Sequence, residues 1–183
     1  MQPLERLLLR RLRLGLVPAL RGRVLEIGAG TGANLPLYGP SARLVVVDVD
    51  PAMLRLAAGR ALPGQATLLL ADAERLPFLP GSFDHAVATL FFCSVRDPAA
   101  AAAELCRVLR PGGTLSLLEH MQGAGRLAGW LTRALARPWC ALMGSCHLDR
   151  RTLDVLQGAG LFVREERRYL GGIVRTVVLA RAG

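Results

Sequence analysis

At 183 residues the chain is long enough for one domain with a sizeable core. Hydrophobic residues make up 52% of it and charged residues 20%, which excludes a disordered chain, and no apolar run reaches the ~18 residues that a membrane span needs. The 23 basic residues are all arginine and outnumber 14 acidic ones, giving a formal charge of +9. That excess reads either as compositional bias, alongside abundant Leu and Ala, or as a surface that meets anionic lipid or nucleic acid.

Residues 4–20 are predicted as an amphipathic basic helix. Leu4, Leu7, Leu8 and Leu12 follow helical spacing, Arg6, Arg10 and Arg13 gather on another face, and Pro18 falls near the end. A short strand, Val24 to Ile27, leads into the glycine-rich Gly28 to Gly32, which is expected to open a helix. A second strand runs from Leu44 to Val47 and ends at Asp48. Asp50-Pro51 then caps a helix to about Arg60, broken by Pro63-Gly64. Thr67 to Leu70 is the third strand, and Pro77, Pro80 and Gly81 mark a loop before the fourth, Phe83 to Leu90. Asp97-Pro98 opens a helix to about Leu109. Pro111-Gly112-Gly113 is a turn into a fifth strand, Thr114 to Leu118. Residues 123–147 read as less regular and hold both tryptophans, Trp130 and Trp139. A helix from Asp149 to Gln157 precedes two strands, Leu161 to Arg168 and Ile173 to Ala180, joined at Gly171-Gly172 as an antiparallel hairpin. Strand and helix alternate through the first two thirds, so a mostly parallel sheet with helices on both faces is expected.

The chemistry-bearing pattern is Glu26-Ile27-Gly28-Ala29-Gly30-Thr31-Gly32 after the first strand. Gly28 permits a tight turn, and Gly30 lets the backbone approach a ligand closely. Dinucleotide enzymes share such loops. Here Glu26 places a carboxylate where pyrophosphate would be repelled but an ammonium would be welcome. Asp48, twenty residues past Gly28, is positioned to accept both hydroxyls of a ribose. Asp72, after the third strand, is placed to accept an adenine amino group. Phe83 is expected in the core and Asp84 in a structural role.

These residues together resemble the class I S-adenosylmethionine-dependent methyltransferases, above all the group related to ubiquinone and menaquinone biosynthesis, over residues 22–120. The resemblance implies a Rossmann-like seven-stranded sheet whose last strand is antiparallel. It implies S-adenosyl-L-methionine as cofactor, held by Glu26, Gly28, Ala29, Gly30, Thr31, Asn34, Asp48, Val49, Met53, Asp72, Ala73 and Glu74, with Thr89 or Leu90 beneath. It divides the chain into an N-terminal helix, residues 1–20, serving as lid or surface contact, and a methyltransferase domain, residues 21–183, with 123–147 as an acceptor-side insertion.

A narrower resemblance rests on Thr89-Leu90-Phe91-Phe92-Cys93-Ser94-Val95, Arg107 through Gly113, Glu119-His120, and Pro138-Trp139 through Arg150. These look like the small-thiol S-methyltransferases, with departures at Ser145, His147 and Asp149. The acceptor implied is a small thiol, with His120 and His147 as candidate catalytic residues. Trp130 and Trp139 are expected either as walls of an apolar acceptor pocket or as core. Bacterial phospholipid N-methyltransferases are similar over the cofactor half, which leaves a membrane-surface acceptor as the rival reading. A non-catalytic cofactor-binding module is a third.

No Asn-Pro-Pro-Tyr-type motif follows the fourth strand, and aromatics are only 5% without basic interleaving, so no nucleic-acid partner is expected. Cys93, Cys106, Cys140 and Cys146 fit no zinc-module spacing, and no metal is expected; His147 beside Cys146 is the single hint of one. Reduced thiols suit a cytoplasmic protein. Peripheral contact with the inner membrane surface through the N-terminal helix is the added expectation.

Overall fold

The computed structural model describes residues 3–60, 65–143 and 146–183. The Pro63-Gly64 break, and Gly144 and Ser145 of the motif near the second tryptophan, lie outside the described residues.

A seven-stranded sheet carries the molecule, in the order β3-β2-β1-β4-β5-β7-β6. Its strands are β1 (Gly22–Ile27), β2 (Ala42–Asp48), β3 (Gln65–Leu70), β4 (Phe83–Thr89), β5 (Leu109–His120), β6 (Leu161–Tyr169) and β7 (Val174–Arg181). The first five pair in parallel, while β7 runs antiparallel to both β5 and β6. This is the Rossmann-like sheet expected, and the closing hairpin is the one announced by Gly171-Gly172.

Strands β1, β2 and β4 are short and largely apolar because both faces are covered. Val24, Leu25 and Ile27 of β1, and Val46 and Val47 of β2, are fully buried. The covering helices are α1 (Pro3–Leu16), α2 (Pro51–Ala58), α3 (Pro98–Val108), α4 (Gly125–Met143) and α5 (Thr152–Gly158). Asp50 and Asp97 cap α2 and α3 by accepting from Ala52 N–H and from Ala99 and Ala100 N–H, each followed by proline in the first turn. Leu105 and Val108 of α3 pack with Phe83, Leu115 and Leu117 in the main core. In α1, Leu9 and Leu12 are buried against Leu118 and Val174. The helix ends at Leu16, and Val17 after it is buried in the cluster under β1 and β2.

Three local expectations are corrected. No α-helix follows the glycine loop. Turns lead only to a 3-10 turn, Leu35–Leu37, because Pro36 and then Gly39-Pro40 leave no room for hydrogen-bonded turns to propagate. The Pro111-Gly112-Gly113 stretch is not a turn before β5 but a break in register within it: Phe83 pairs with Leu109, and pairing resumes at His85 with Thr114. Residues 125–143 are not irregular but one helix, α4, with Pro138 inside it.

That helix does not turn its large apolar side chains toward an acceptor pocket. Gly129, Thr132 and Ala136 face the domain, while Leu127, Trp130, Leu131, Leu135 and Leu142 are 41–78% exposed. Small residues let α4 sit close to the chain beneath it. Thr132 Oγ1 accepts the Gly123 N–H at 3.2 Å there. Of the two tryptophans only Trp139 turns inward, its ring 6.4 Å from that of His120.

Candidate active site

The strand order reverses between β1 and β4, and ligands of open α/β sheets bind outside the carboxyl ends of strands at such a point. A cavity of about 870 Å³ lies there. Its walls come from the loop after β1 (Gly28, Gly30), the end of β2 (Asp48, Val49), the first turn of α2 (Met53), the loop after β3 (Asp72, Ala73, Glu74) and the loop after β4 (Leu90, Phe91, Ser94, Val95, Arg96).

Gly28 and Gly30 do different work. At Gly28, φ is +67°, and a Cβ would stand 2.6 Å from the Phe91 ring, so the two loops meet only because no side chain intervenes. At Gly30, φ is +50° and a Cβ would meet nothing within 4 Å. The space beside that backbone belongs to the cavity, a cradle that a side chain would fill.

Four of the five amides of Gly28–Gly32 are already engaged. Gly28 and Ala29 N–H donate to Val47 O at 2.9 and 3.2 Å, and Gly32 N–H donates to Ala29 O at 2.9 Å. Gly30 N–H donates to Asp48 Oδ2 at 2.8 Å. With most of the loop amides engaged, and without a helix N-terminus behind them, the loop is a poor anion site for a pyrophosphate. The ionisable lining is Asp48, Asp50, Asp72 and Glu74 against a single Arg96, itself paired with Glu74 at 2.8 Å. An acidic wall suits a ligand that carries a sulfonium and an ammonium.

Asp48 Oδ1 accepts the Asp50 N–H at 2.9 Å, so each of its oxygens holds one backbone donor and keeps lone pairs toward the cavity. Asp72 Oδ1 accepts the Glu74 N–H at 2.9 Å, fixing the loop after β3. Glu74 also takes the Asp97 N–H at 2.9 Å. Its acidity is strengthened first by the Arg96 hydrogen bond and then by that amide.

Among residues expected at the cofactor, Gly28, Gly30, Asp48, Val49, Met53, Asp72, Ala73, Glu74 and Leu90 line the cavity. Glu26, Ala29, Thr31, Asn34 and Thr89 do not. Ala29 is 6% exposed. Thr31 is exposed, and its carbonyl accepts from Arg60 Nε at 3.0 Å. Asn34 and Thr89 are hydrogen bonded to each other at 3.1 Å behind the loop.

Glu26 corrects the sequence reading most. Its carboxylate does not face the cavity. It is 1% exposed and accepts from Tyr38 Oη at 2.6 Å and from Asn34 Nδ2 at 3.1 Å. Burial pushes its pKa up to about 7, against the Tyr38 and Asn34 hydrogen bonds and the charge of Arg13, which pull it down. A carboxyl whose folded pKa exceeds its unfolded value stabilises the fold fully below the unfolded value, and that stabilisation is lost as pH rises through the folded one. The urea midpoint is therefore expected to fall between pH 5 and pH 8. The decline should be shallower in Glu26→Gln, which carries no titratable group; equal slopes in the two proteins would show that Glu26 ionises freely.

The signals the sequence reading underused lie at the end of β5. Glu119 is fully buried; its Oε2 accepts the Phe92 N–H at 2.6 Å and its Oε1 the His120 N–H at 3.0 Å. Arg150 Nη1 donates to Phe92 O and, at 2.7 Å, to Val95 O. Glu119, whose pKa burial raises to about 7, and Arg150 thus suspend the loop that makes one wall of the cavity. Beyond that wall, Cys93, His120 and Cys146 converge, their ligand atoms within 4.8 Å of one another, with Cys146 Sγ 3.5 Å from His120 Nδ1. The hydrogen bond between the two thiols holds Cys146 below the usual thiol range and Cys93 above it. His147 is not in this group; its Nε2 lies 3.9 Å from Cys140 Sγ, and its N–H donates to Cys93 O at 2.8 Å.

Residues 25–117 match the family model described as "Methyltransferase domain". The human thiol S-methyltransferase TMT1A is 31% identical over 148 residues, which span 78% of this chain and 61% of that protein. The chain belongs to the class I methyltransferases. The phosphatidylethanolamine N-methyltransferase of Cereibacter sphaeroides is 36% identical over 126 residues, 66% of this chain and 62% of that one. The chain thus spans about six tenths of the length of these curated relatives. A Haloferax volcanii methyltransferase solved with the Trm112 methyltransferase activator shares the fold, with a TM-score of 0.74 at 19% identity over 94% of this chain and 88% of that one. S-adenosylmethionine is the methyl donor that membership of this family implies. Asp48 would take the ribose, Asp72 the adenine, and Leu90 with Phe91 the apolar floor.

Proposed function

We propose that this methyltransferase acts on a small acceptor with a soft nucleophile, a thiol foremost. The observation that carries the reading is the likeness to thiol S-methyltransferases, which covers 78% of the chain and so more than the cofactor half. S-adenosylmethionine supplies a methyl group already activated on a sulfonium. The chain's own task is alignment and exclusion of water. Phe91 and Val95 wall the cavity with apolar surface. Their loop is held from both sides, by Glu119 and by Arg150, so the wall keeps its place. A thiol with pKa ~8.5 is mostly protonated at neutral pH, so the acceptor needs a neighbour that favours its thiolate. The polar patch of His120 and Cys146 beyond that wall is the candidate; His147, paired with Cys140, is set aside from the chemistry.

A second reading places the acceptor in a lipid surface. Helix α4 favours it rather than α1. On a 3.6-residue turn, Leu127, Trp130, Leu131, Leu135 and Leu142 form one exposed stripe. Arg126, Arg133 and Arg137, all exposed, run along its edge. An apolar face with an arginine border suits the interface of an anionic membrane. No helix among the described residues is long and apolar enough to cross one.

One experiment separates the readings: transfer of labelled methyl to a panel of small alkyl and aryl thiols, amines, quinols and vesicles of phosphatidylethanolamine with an anionic lipid. Thiols are expected to be methylated in free solution. Label only in phosphatidylethanolamine would overturn the thiol reading and promote the membrane one. Donor bound with no acceptor labelled would leave a binding module.

A further inference from the structure

The described side chains hold one cluster with metal-binding character, and the function above leaves its chemistry unexplained. Cys93 comes from the loop after β4, His120 from the last residue of β5, and Cys146 from the segment after α4. The first and last are 53 positions apart along the chain, so no local motif announces them, and only the parallel pairing of β4 with β5 brings the first two together. Their ligand atoms lie within 4.8 Å of one another, and the Cys146 Sγ to His120 Nδ1 separation is 3.5 Å. A tetrahedral zinc with Zn–S of ~2.3 Å and Zn–N of ~2.0–2.1 Å sets its ligand atoms roughly 3.5–3.8 Å apart. One edge of the triangle already has that length, and the others need at most a small contraction.

We propose that Cys93, His120 and Cys146 form a three-ligand site for a soft divalent metal of the zinc type, with its fourth position open to an exogenous thiolate. Two sulfurs and an imidazole select zinc over the hard cations, which prefer carboxylates and water. Three protein ligands with an open fourth place describe a site that binds a ligand rather than a closed structural one. Among the described residues no fourth ligand joins the group. Glu119 holds the Phe92 and His120 amides and meets the Cys93 thiol from behind, and Cys140 lies against His147 instead. The buried indole N–H of Trp139 meets the Cys146 sulfur, and its ring stands edge-on to His120. A metal-bound thiolate accepts such a donor.

The site adjoins the cofactor cavity. Cys93 sits between Phe92 and Ser94, in the loop whose Leu90, Phe91, Ser94 and Val95 line it. A thiol that takes the fourth position loses its proton to solvent as its sulfur joins the metal, which keeps the nucleophile ionised at neutral pH without a general base. The thiol part of this inference rests on the thiol reading above; the metal part does not.

The test is metal binding by the full chain with its thiols reduced. The apo chain is titrated with zinc, and with cobalt(II) as a spectroscopic probe. One metal per chain is expected, with a thiolate-to-cobalt charge-transfer band. Cys146→Ser and His120→Ala should each weaken binding by at least ~100-fold, since even second-shell changes at zinc sites cost 10–100-fold. Cys106→Ser, a cysteine outside the cluster, should bind as the parent does. Adding a small alkyl thiol should shift the cobalt band. Absence of bound metal, or unchanged affinity in Cys146→Ser, would overturn the site, as would a Cys93–Cys146 disulfide in place of metal under reducing conditions. Metal bound without any methylated thiol would sink the thiol reading and leave the site; methylated thiols in a metal-free chain would do the reverse.

Discussion

Asp48→Ala is expected to weaken S-adenosylmethionine binding by at least ~10-fold while the domain stays folded. Asp48 ends β2 at the cavity wall, held by the Gly30 and Asp50 amides at 2.8 and 2.9 Å. An ionised carboxylate offers about four lone-pair sites, so roughly two remain for the hydroxyls of a ribose. Hydrogen bonds to a charged group contribute about 1.5–3 kcal/mol, and 1.4 kcal/mol is already tenfold. The released Gly30 amide opens into the cavity, where water can replace its partner, so the fold should lose little. Isothermal titration with the cofactor, alongside thermal unfolding of the same variant, checks both halves. A folded variant with an unchanged dissociation constant would remove Asp48 from the cofactor site. Asp72→Ala should also weaken binding, but by less, because a hydrogen bond to one amino group replaces two to hydroxyls.

Much of this was written into the sequence, for identifiable reasons. Strands β1, β2 and β4 are short, buried on both faces and bounded by Gly, Pro or Asp, so periodicity and breakers mark them well. Asp50-Pro51 and Asp97-Pro98 announce their helices because the side chain and the missing amide act locally. Helix α4 was harder to read. Its large residues point to solvent and its small ones inward, so the usual link between hydrophobic spacing and burial is inverted. Glu26 shows a different limit. Its position beside the glycine loop suggests a ligand contact, but which way a side chain leaves a strand end depends on what fills the other side. Here Tyr38 and Asn34, delivered by the turns that replace the expected helix, draw it inward. The Cys93, His120 and Cys146 cluster was invisible for a third reason. Its members meet only through sheet pairing and the return of the chain after α4, and spacing rules for metal modules describe local loops.

The second large effect is expected at Glu119, which touches no ligand in the cofactor cavity. Replacing it with Ala removes the acceptor for the Phe92 and His120 amides in a region closed to water. A buried donor left without its partner costs about 1–3 kcal/mol, and the vacated volume adds a cavity cost. The total is on the order of 3–5 kcal/mol, a large part of the ~5–15 kcal/mol that holds a domain together. The loss should be felt unevenly. Arg150 still grips Phe92 O and Val95 O from the far side, so the loop after β4 should loosen at its β5 face before the sheet gives way. Hydrogen exchange is the suitable measurement: the amides of residues 90–96 should lose protection while those of β1 and β2 keep theirs. Cofactor affinity should fall with that protection, because Phe91 packs against Gly28 and forms the cavity floor. Glu119→Gln retains a carbonyl oxygen of the right reach and should recover part of both. If Glu119→Ala weakens the donor's binding with residues 90–96 as protected as before, Glu119 acts on the ligand directly and not through the wall it holds.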